Sequence, residues 1–245
     1  MQRFKIKIEY DGTPFVGWQF QKNGQSIQEI IQKAIFKFSN EKVTVIGAGR
    51  TDSGVHALGQ VAHFDLKKKI KEKKILPAIN QNIGNKPITV LKVNKTNKKF
   101  HSRHNAKKRT YRYLIINRQS PLTLQKNKAW HIRKKLDLLS MKKGAKLLIG
   151  THDFSTFRAS SCQAKSPIKT MEKILIKKNR DKIILQFTSR SFLQQQVRSM
   201  VGCLKYLGES KWNIKDFIKS FKSKNRIKCA PPAPACGLYL LKVEY

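Results

Sequence analysis

The sequence predicts an α+β protein of two βαββαβ halves, with predominantly antiparallel sheets flanking a central basic cleft. Three observations carry this prediction. Strand and helix periods follow one another in the same order twice along the chain. Apolar residues make up 40% of 245 residues, enough for packed cores. The basic excess, 52 Lys+Arg against 14 Asp+Glu, is unevenly placed. A chain of this length buries roughly 70% or more of its unfolded surface, which excludes a disordered basic tail.

In the first half, residues 3–9 alternate apolar and charged side chains as a strand does. Ser26-Ile-Gln-Glu29 reads as a capping box, opening a helix whose Ile27, Ile30, Ile31, Ala34, Ile35 and Phe38 fall on one face. Strands follow at 43–48 and 58–66. A helix over 74–83 carries Ile75, Leu76, Ile79 and Ile83 and stops at Gly84, and a strand spans 88–93. The second half opens with a strand at 109–116. A helix from Asp137 to Gly150 presents Leu138, Met141, Ala145, Leu148 and Ile149. Strands at 169–177 and 182–189 precede a long helix, Phe192 to Leu207, striped with Leu193, Val197, Met200, Val201 and Leu204. A short helix at 214–221 leads to a last strand, Leu238 to Val243. This order is ferredoxin-like in each half, and the basic segment near 95–108 divides the chain into 1–105 and 106–245.

With 12 Arg and 40 Lys among many Ile and Asn, part of the +38 charge reads as drift in an A+T-rich genome. The stretch from Lys73 to Leu136 is different: 64 residues hold 18 Lys+Arg and no Asp or Glu. A field of one sign points to a polyanion, whose counterions such a surface releases. The basic residues do not follow an amphipathic helix, which argues against a membrane surface. No apolar run nears the ~20 residues that cross a bilayer. The alternating N-terminus predicts no secretory leader, hence a soluble cytoplasmic protein. Cys162, Cys203, Cys229 and Cys236 lack C-x-x-C spacing and read as reduced thiols. His101 and His104 have no Cys or carboxylate cluster nearby, so they are expected to be solvated or phosphate-facing, with no metal.

The most unusual segment is Gly47-Ala-Gly-Arg-Thr-Asp-Ser-Gly-Val-His-Ala57, whose glycines admit tight turns and close approach of a ligand. Asp52 within it has two readings. It caps its own turn, or it is a carboxylate held on a short loop beside Arg50 and kept ionised for nucleophilic attack. Tyr111 falls within the strand expected at 109–116, where its ring fills the core. Arg198 lies off the apolar stripe of its helix, either exposed or turned to a cleft wall. Phe15, Trp18 and Gln19 either buttress the loop or stack on RNA, the buried role being favoured.

Gly49-Arg-Thr-Asp-Ser-Gly-Val-His-Ala57 closely resembles the active-site motif of the TruA family of tRNA pseudouridine synthases. Tyr10-Asp-Gly-Thr-Pro-Phe-Val-Gly-Trp-Gln19, Phe100-His-Ser-Arg103, Arg109-Thr-Tyr-Arg-Tyr113, Phe154-Ser-Thr-Phe-Arg158, Ser191 to Gly202 and Gly237-Leu-Tyr-Leu240 extend the resemblance, in order, over nearly the whole chain. It implies a cofactor-free, metal-free isomerase that converts uridines at positions 38, 39 and 40 of the tRNA anticodon stem-loop, working as a homodimer. It implies further that Asp52 attacks the target nucleotide, at C6 of the ring or C1′ of the ribose. Arg198 pairs with that aspartate, Tyr111 stacks on the flipped uracil, Leu238 lines its pocket, and Arg50 fills the gap left by the base. Lys107, Lys108 and Arg109 are expected to contact RNA, and His56 to be structural. Ser53, His104-Asn105 and Gln196 depart from the family pattern, where alanine, Phe-Ser and methionine are common. Two alternatives stay open: a non-catalytic tRNA-binding or chaperone protein, and a synthase with another uridine target.

Overall fold

A computed structural model describes residues 1–245, which form ten strands and five helices in an α+β arrangement with mainly antiparallel pairing. The chain divides into two compact units, Met1–Lys107 with Tyr239–Tyr245, and Lys108–Leu238. No helix is long and apolar enough to cross a membrane.

The first unit has the expected βαββαβ order: β1 (Gln2–Tyr10), α1 (Ile27–Ser39), β2 (Ile46–Gly47), β3 (His56–Leu66), α2 (Glu72–Ile83) and β4 (Ile88–Thr96). β1 pairs antiparallel with both β3 and β4. Its alternate residues Phe4, Ile6 and Ile8 are fully buried, as are Ile27, Ile31 and Ile35 of α1. Ser26 Oγ accepts from the Glu29 N–H at 3.3 Å, but the Glu29 carboxylate binds Lys33 Nζ at 2.6 Å, so half of the expected capping box forms. The strand expected at 43–48 shrinks to two residues. Side chains of α1 take the bonds a ladder would use: Val45 N–H donates to Gln32 Oε1 (3.0 Å) and its carbonyl accepts from Gln28 Nε2 (2.9 Å).

The last strand, β10 (Leu238–Glu244), was expected to close the second half. Instead it pairs parallel with β3, Tyr239 opposite His56 and Leu240 opposite Ala57. Lys107 N–H donates to Glu244 O at 2.8 Å, tying the ends of the first unit together. A period of two identifies a strand but says nothing of a partner some 180 residues away.

The second unit contains β5 (Lys108–Asn117), β6 (Trp130–Ile132), α3 (Leu138–Leu147), β7 (Gly150–Asp153), β8 (Ile168–Asn179), β9 (Lys182–Ser189), α4 (Gln196–Gly208) and α5 (Ile214–Lys222). The strands run β5-β9-β8-β7, with β6 parallel beside β5. β6 and β7 are additions to the expected order, too short and polar to show a period. α3 starts on its Asp137 cap, as expected, but ends early, and Gly150 (φ +111°) turns the chain into β7. α4 begins four residues later than its stripe suggests. Gln195 is left-handed (φ 60°), and Leu193 N–H donates to the buried Gln196 Oε1 at 2.8 Å, so the preceding turn is closed by a side chain. Tyr113, Leu185 and Phe187 from the sheet pack this core with Met200, Leu204, Phe154, Phe157 and Phe217.

Candidate active site

Asp52 is half-buried in the loop between β2 and β3, and the backbone on either side of it is fixed. Tyr10 Oη bonds Thr51 Oγ1 at 2.9 Å, and Trp18 N–H donates to Thr51 O at 3.0 Å. Ser53 Oγ donates to Phe15 O at 3.1 Å, and Val55 N–H donates to Asp52 O at 3.1 Å, closing a turn in which Gly54 has φ +74°. Gln60 Nε2 holds Gly49 O at 2.7 Å, one residue before the exposed Arg50. A carboxylate on so constrained a backbone is preorganised for attack or proton transfer.

The segment from Tyr10 to Gln19 does the constraining, and two glycines make it possible. Gly12 lies so close beneath the loop that a Cβ would stand 2.0 Å from Val55 O. Gly17, at φ +112°, would put one 2.6 Å from Thr51 O. Phe15 and Trp18 are buried, as favoured from sequence, while Gln19 is exposed. Buried His56 stacks on Tyr239 with ring centroids 4.6 Å apart. Its Nδ1 lies 3.0 Å from both the donating Gly12 N–H and Asp11 Oδ1, a structural role that joins the two segments.

In the second unit Tyr111 sits on β5 opposite Phe187 of β9, 8% exposed, its ring edge-on to Phe192 at 5.0 Å. Arg198, third residue of α4, is anchored rather than loose on a helix surface. Its Nε donates to Ala233 O at 2.7 Å, and Ala233 N–H donates to Arg198 O at 2.9 Å. The strap carrying Ala233 runs close along α4 because residue 202 is glycine: a Cβ there would be 2.1 Å from Pro231 O. Tyr113 Oη donates to Pro234 O at 2.7 Å, and burial pushes its hydroxyl pKa well up, which keeps it a donor. Leu238, 6% exposed, follows directly on this strap. Sequence reasoning overlooked the strap, although Pro231-Pro-Ala-Pro234 marks a stiff segment.

The three expected RNA contacts differ in placement. Lys107 and Lys108 are exposed, Lys108 pairing with Glu172 at 2.5 Å. Arg109 is 8% exposed and donates from Nη1 to Arg190 O, which places its guanidinium in the interior. A residue type that is almost always exposed gives no sign of burial in sequence.

The family described as tRNA pseudouridine synthase matches residues 6–112 and 145–245, stretches that include Asp52, Tyr111, Arg198 and Leu238. The chain is 59% identical over 246 residues to tRNA pseudouridine synthase A of Pelagibacter ubique (strain HTCC1062), with all of both chains covered. It is 44% identical to the protein of that name from Parvibaculum lavamentivorans, over the whole of both, and 45% to that of Maricaulis maris, over 98% of the latter. Similarity of this extent shows that the chain belongs to the tRNA pseudouridine synthase A (TruA) family.

Proposed function

We propose that this protein isomerises uridine to pseudouridine at positions 38, 39 and 40 of the tRNA anticodon stem-loop, with Asp52 as the nucleophile acting on a base flipped from its stack. The observation that carries this reading is the clamped loop: four hydrogen bonds fix the backbone around one of only 14 acidic residues in a chain of charge +38. In an RNA-binding surface a carboxylate opposes affinity, so its fixed position is best accounted for by chemistry. A non-catalytic RNA-binding protein has no use for it.

Attack of Asp52 at uracil C6 or at ribose C1′ leads, in either case, to loss of the C1′–N1 bond. The uracil turns, C5 bonds to C1′, the bond to the Asp52 carboxylate breaks, the C5 proton departs to solvent, and N1 takes up a proton in its place. The reaction is an isomerisation, so its balance calls for no oxidant, reductant or cofactor. Tyr111 provides an aromatic face against which a base can turn, because stacking is not tied to one hydrogen-bond pattern, and its hydroxyl serves C5 deprotonation. Leu238 lines the uracil pocket, Arg198 supplies the cationic partner of the reacting carboxylate, and exposed Arg50 occupies the space the base leaves. Lys107 and Lys108 contact the phosphates; buried Arg109 has a smaller share. The working form is a cytoplasmic homodimer.

Tritium release from C5-labelled uridine in anticodon-arm RNA tests the assignment. Wild type releases tritium and Asp52→Ala does not, with at least a 10⁴-fold loss expected for a missing nucleophile. Equal release by the two proteins, or none by wild type, would sink it.

A further inference from the structure

The sheet of the first unit has a second face, turned away from the core residues Phe4, Ile6 and Ile8. There Lys5 and Lys7 of β1, Lys92 of β4 and Lys242 of β10 surround a depression of about 260 Å³ whose floor is Gly59 and Val61 of β3. Gly59 keeps the floor bare because β10 runs close beside it: a Cβ there would stand 2.7 Å from Leu241 O. Lys7 and Lys92 are direct partners in the β1–β4 ladder. Like charges directly opposite one another destabilise a sheet unless something neutralises them. No carboxylate lies within ion-pair distance of Lys5, Lys7 or Lys92; of the four, Lys242 is paired, with Glu244 Oε1 at 2.5 Å. Lys5 Nζ lies instead over aromatic faces, 4.4 Å from the ring centre of Tyr245 and 5.2 Å from that of Phe100.

We propose that this groove binds the phosphate backbone of RNA, through Lys5, Lys7, Lys92 and Lys242. The inference rests on tRNA being the substrate, as proposed above, and adds a place where its backbone lies. A polyanion laid along the groove removes the repulsion between Lys7 and Lys92 and releases counterions. RNA suits the groove better than an acidic peptide because tRNA is the substrate proposed above, and the rings of Phe100 and Tyr245, with Lys5 Nζ over their faces, hold that ammonium at the edge of a phosphate-binding strip.

The test compares three full-length proteins with wild type: Lys5, Lys7, Lys92 and Lys242 all changed to Thr; the same four changed to Arg; and a control with Lys37, Lys42, Lys68 and Lys69, exposed positions outside both the groove and the acid-free stretch, changed to Thr. Binding of an unmodified tRNA transcript is measured against salt, and turnover at saturating tRNA by tritium release. The Thr variant should bind about tenfold more weakly at 0.15 M salt, with the slope of log Kd against log salt reduced by about 3, while kcat and the thermal midpoint do not fall. The Arg variant should keep the wild-type slope, and the control should stay within about 1 of it. A groove variant indistinguishable from the control in an otherwise active enzyme overturns the groove alone. Wild type that neither binds nor modifies the transcript overturns both this inference and the proposed function. Polyglutamate competing with tRNA more strongly than salt of equal ionic strength, and only when the groove lysines are present, would assign the face to an acidic protein instead.

Discussion

Each unit presses a glycine against a carbonyl oxygen, yet the surroundings of the two contacts differ. In the first unit Gly12 meets Val55 just beyond the end of the β1–β3 ladder, whose register shifts between Ile8 and Tyr10, and the contact sets the height of the Asp52 loop. In the second, Gly202 meets Pro231 on a strap with no ladder of its own, held by Arg198 and Ala233 to each other and by Tyr113 to Pro234. The nucleophile candidate is therefore held by loop bonds that start from the end of a ladder, whereas the arginine is held by a few bonds between a helix and a strap that has no ladder.

The largest effect expected from this contrast is at the two glycines themselves. Gly12→Ala and Gly202→Ala each force a Cβ within 2.1 Å of backbone oxygen, so a strand or the strap must move. We expect about 3 kcal/mol of destabilisation from each in urea unfolding, at the upper end for overpacking. Gly84→Ala provides the scale: φ is +66° and ψ −142° but the space is open, so only the backbone penalty of about 2 kcal/mol applies. At temperatures where the variants stay folded, Gly12→Ala should also lose tritium release, because the loop it supports carries Asp52. If both behaved like Gly84→Ala, the close contacts would not be what holds the loop and strap in place.

A comparable effect, confined to the first unit, is set by pH. His63 is 2% exposed on β3 and its Nδ1 accepts the Ser102 N–H at 3.2 Å. Burial first, and then the charges of Arg3 and His101, press its pKa from 6.5 to about 4, against a smaller opposing pull from Asp65. The unfolded chain takes up this proton near pH 6.5 and the folded protein only near 4, so the contribution is fully present above about 6.5 and is lost as pH falls toward 4. The loss amounts to at most about 3 kcal/mol. His63→Gln keeps an acceptor for Ser102 but does not titrate, and should flatten the stability profile between pH 4 and 6.5. An unchanged slope would assign the acid sensitivity to other groups, such as Asp65, whose carboxyl Arg3 holds below the usual range.

The same contrast explains what could be read in the sequence. β1, α1, β3 and α2 repeat an apolar period over nine to thirteen residues, and each was legible within a residue or two. β6 and β7 span three and four residues, and no period fits so few. β10 was recognisable as a strand, but its parallel partner β3 depends on a return of the chain that no local pattern encodes. At the site, Asp52 stood out because glycines on both sides advertise an unusual backbone. Tyr111 and Arg198 became candidates only through resemblance, since a strand tyrosine and a helix arginine are ordinary in themselves. The anchoring of Arg198 by Ala233 was not legible at all, because main-chain hydrogen bonds carry no mark in the residue type.

The smallest effects separate basic residues that sequence alone treats as equivalent. Lys107 is exposed, and its main-chain N–H, not its ammonium, makes the bond to Glu244 O. Lys107→Gln should therefore leave stability within about 0.5 kcal/mol of wild type while lowering the salt slope of tRNA binding by about 1. Arg109 reverses this pattern. With its guanidinium buried and bonded to Arg190 O, Arg109→Gln leaves that carbonyl short of a donor and should cost about 1–3 kcal/mol in urea unfolding, with little change in the salt slope. The two measurements together decide between a neighbour that neutralises phosphate and one that fastens β5 to the end of β9. A salt slope that drops as far for Arg109→Gln as for Lys107→Gln would show that the arginine swings out to the RNA, and that burial in the free protein does not predict which cations the substrate meets.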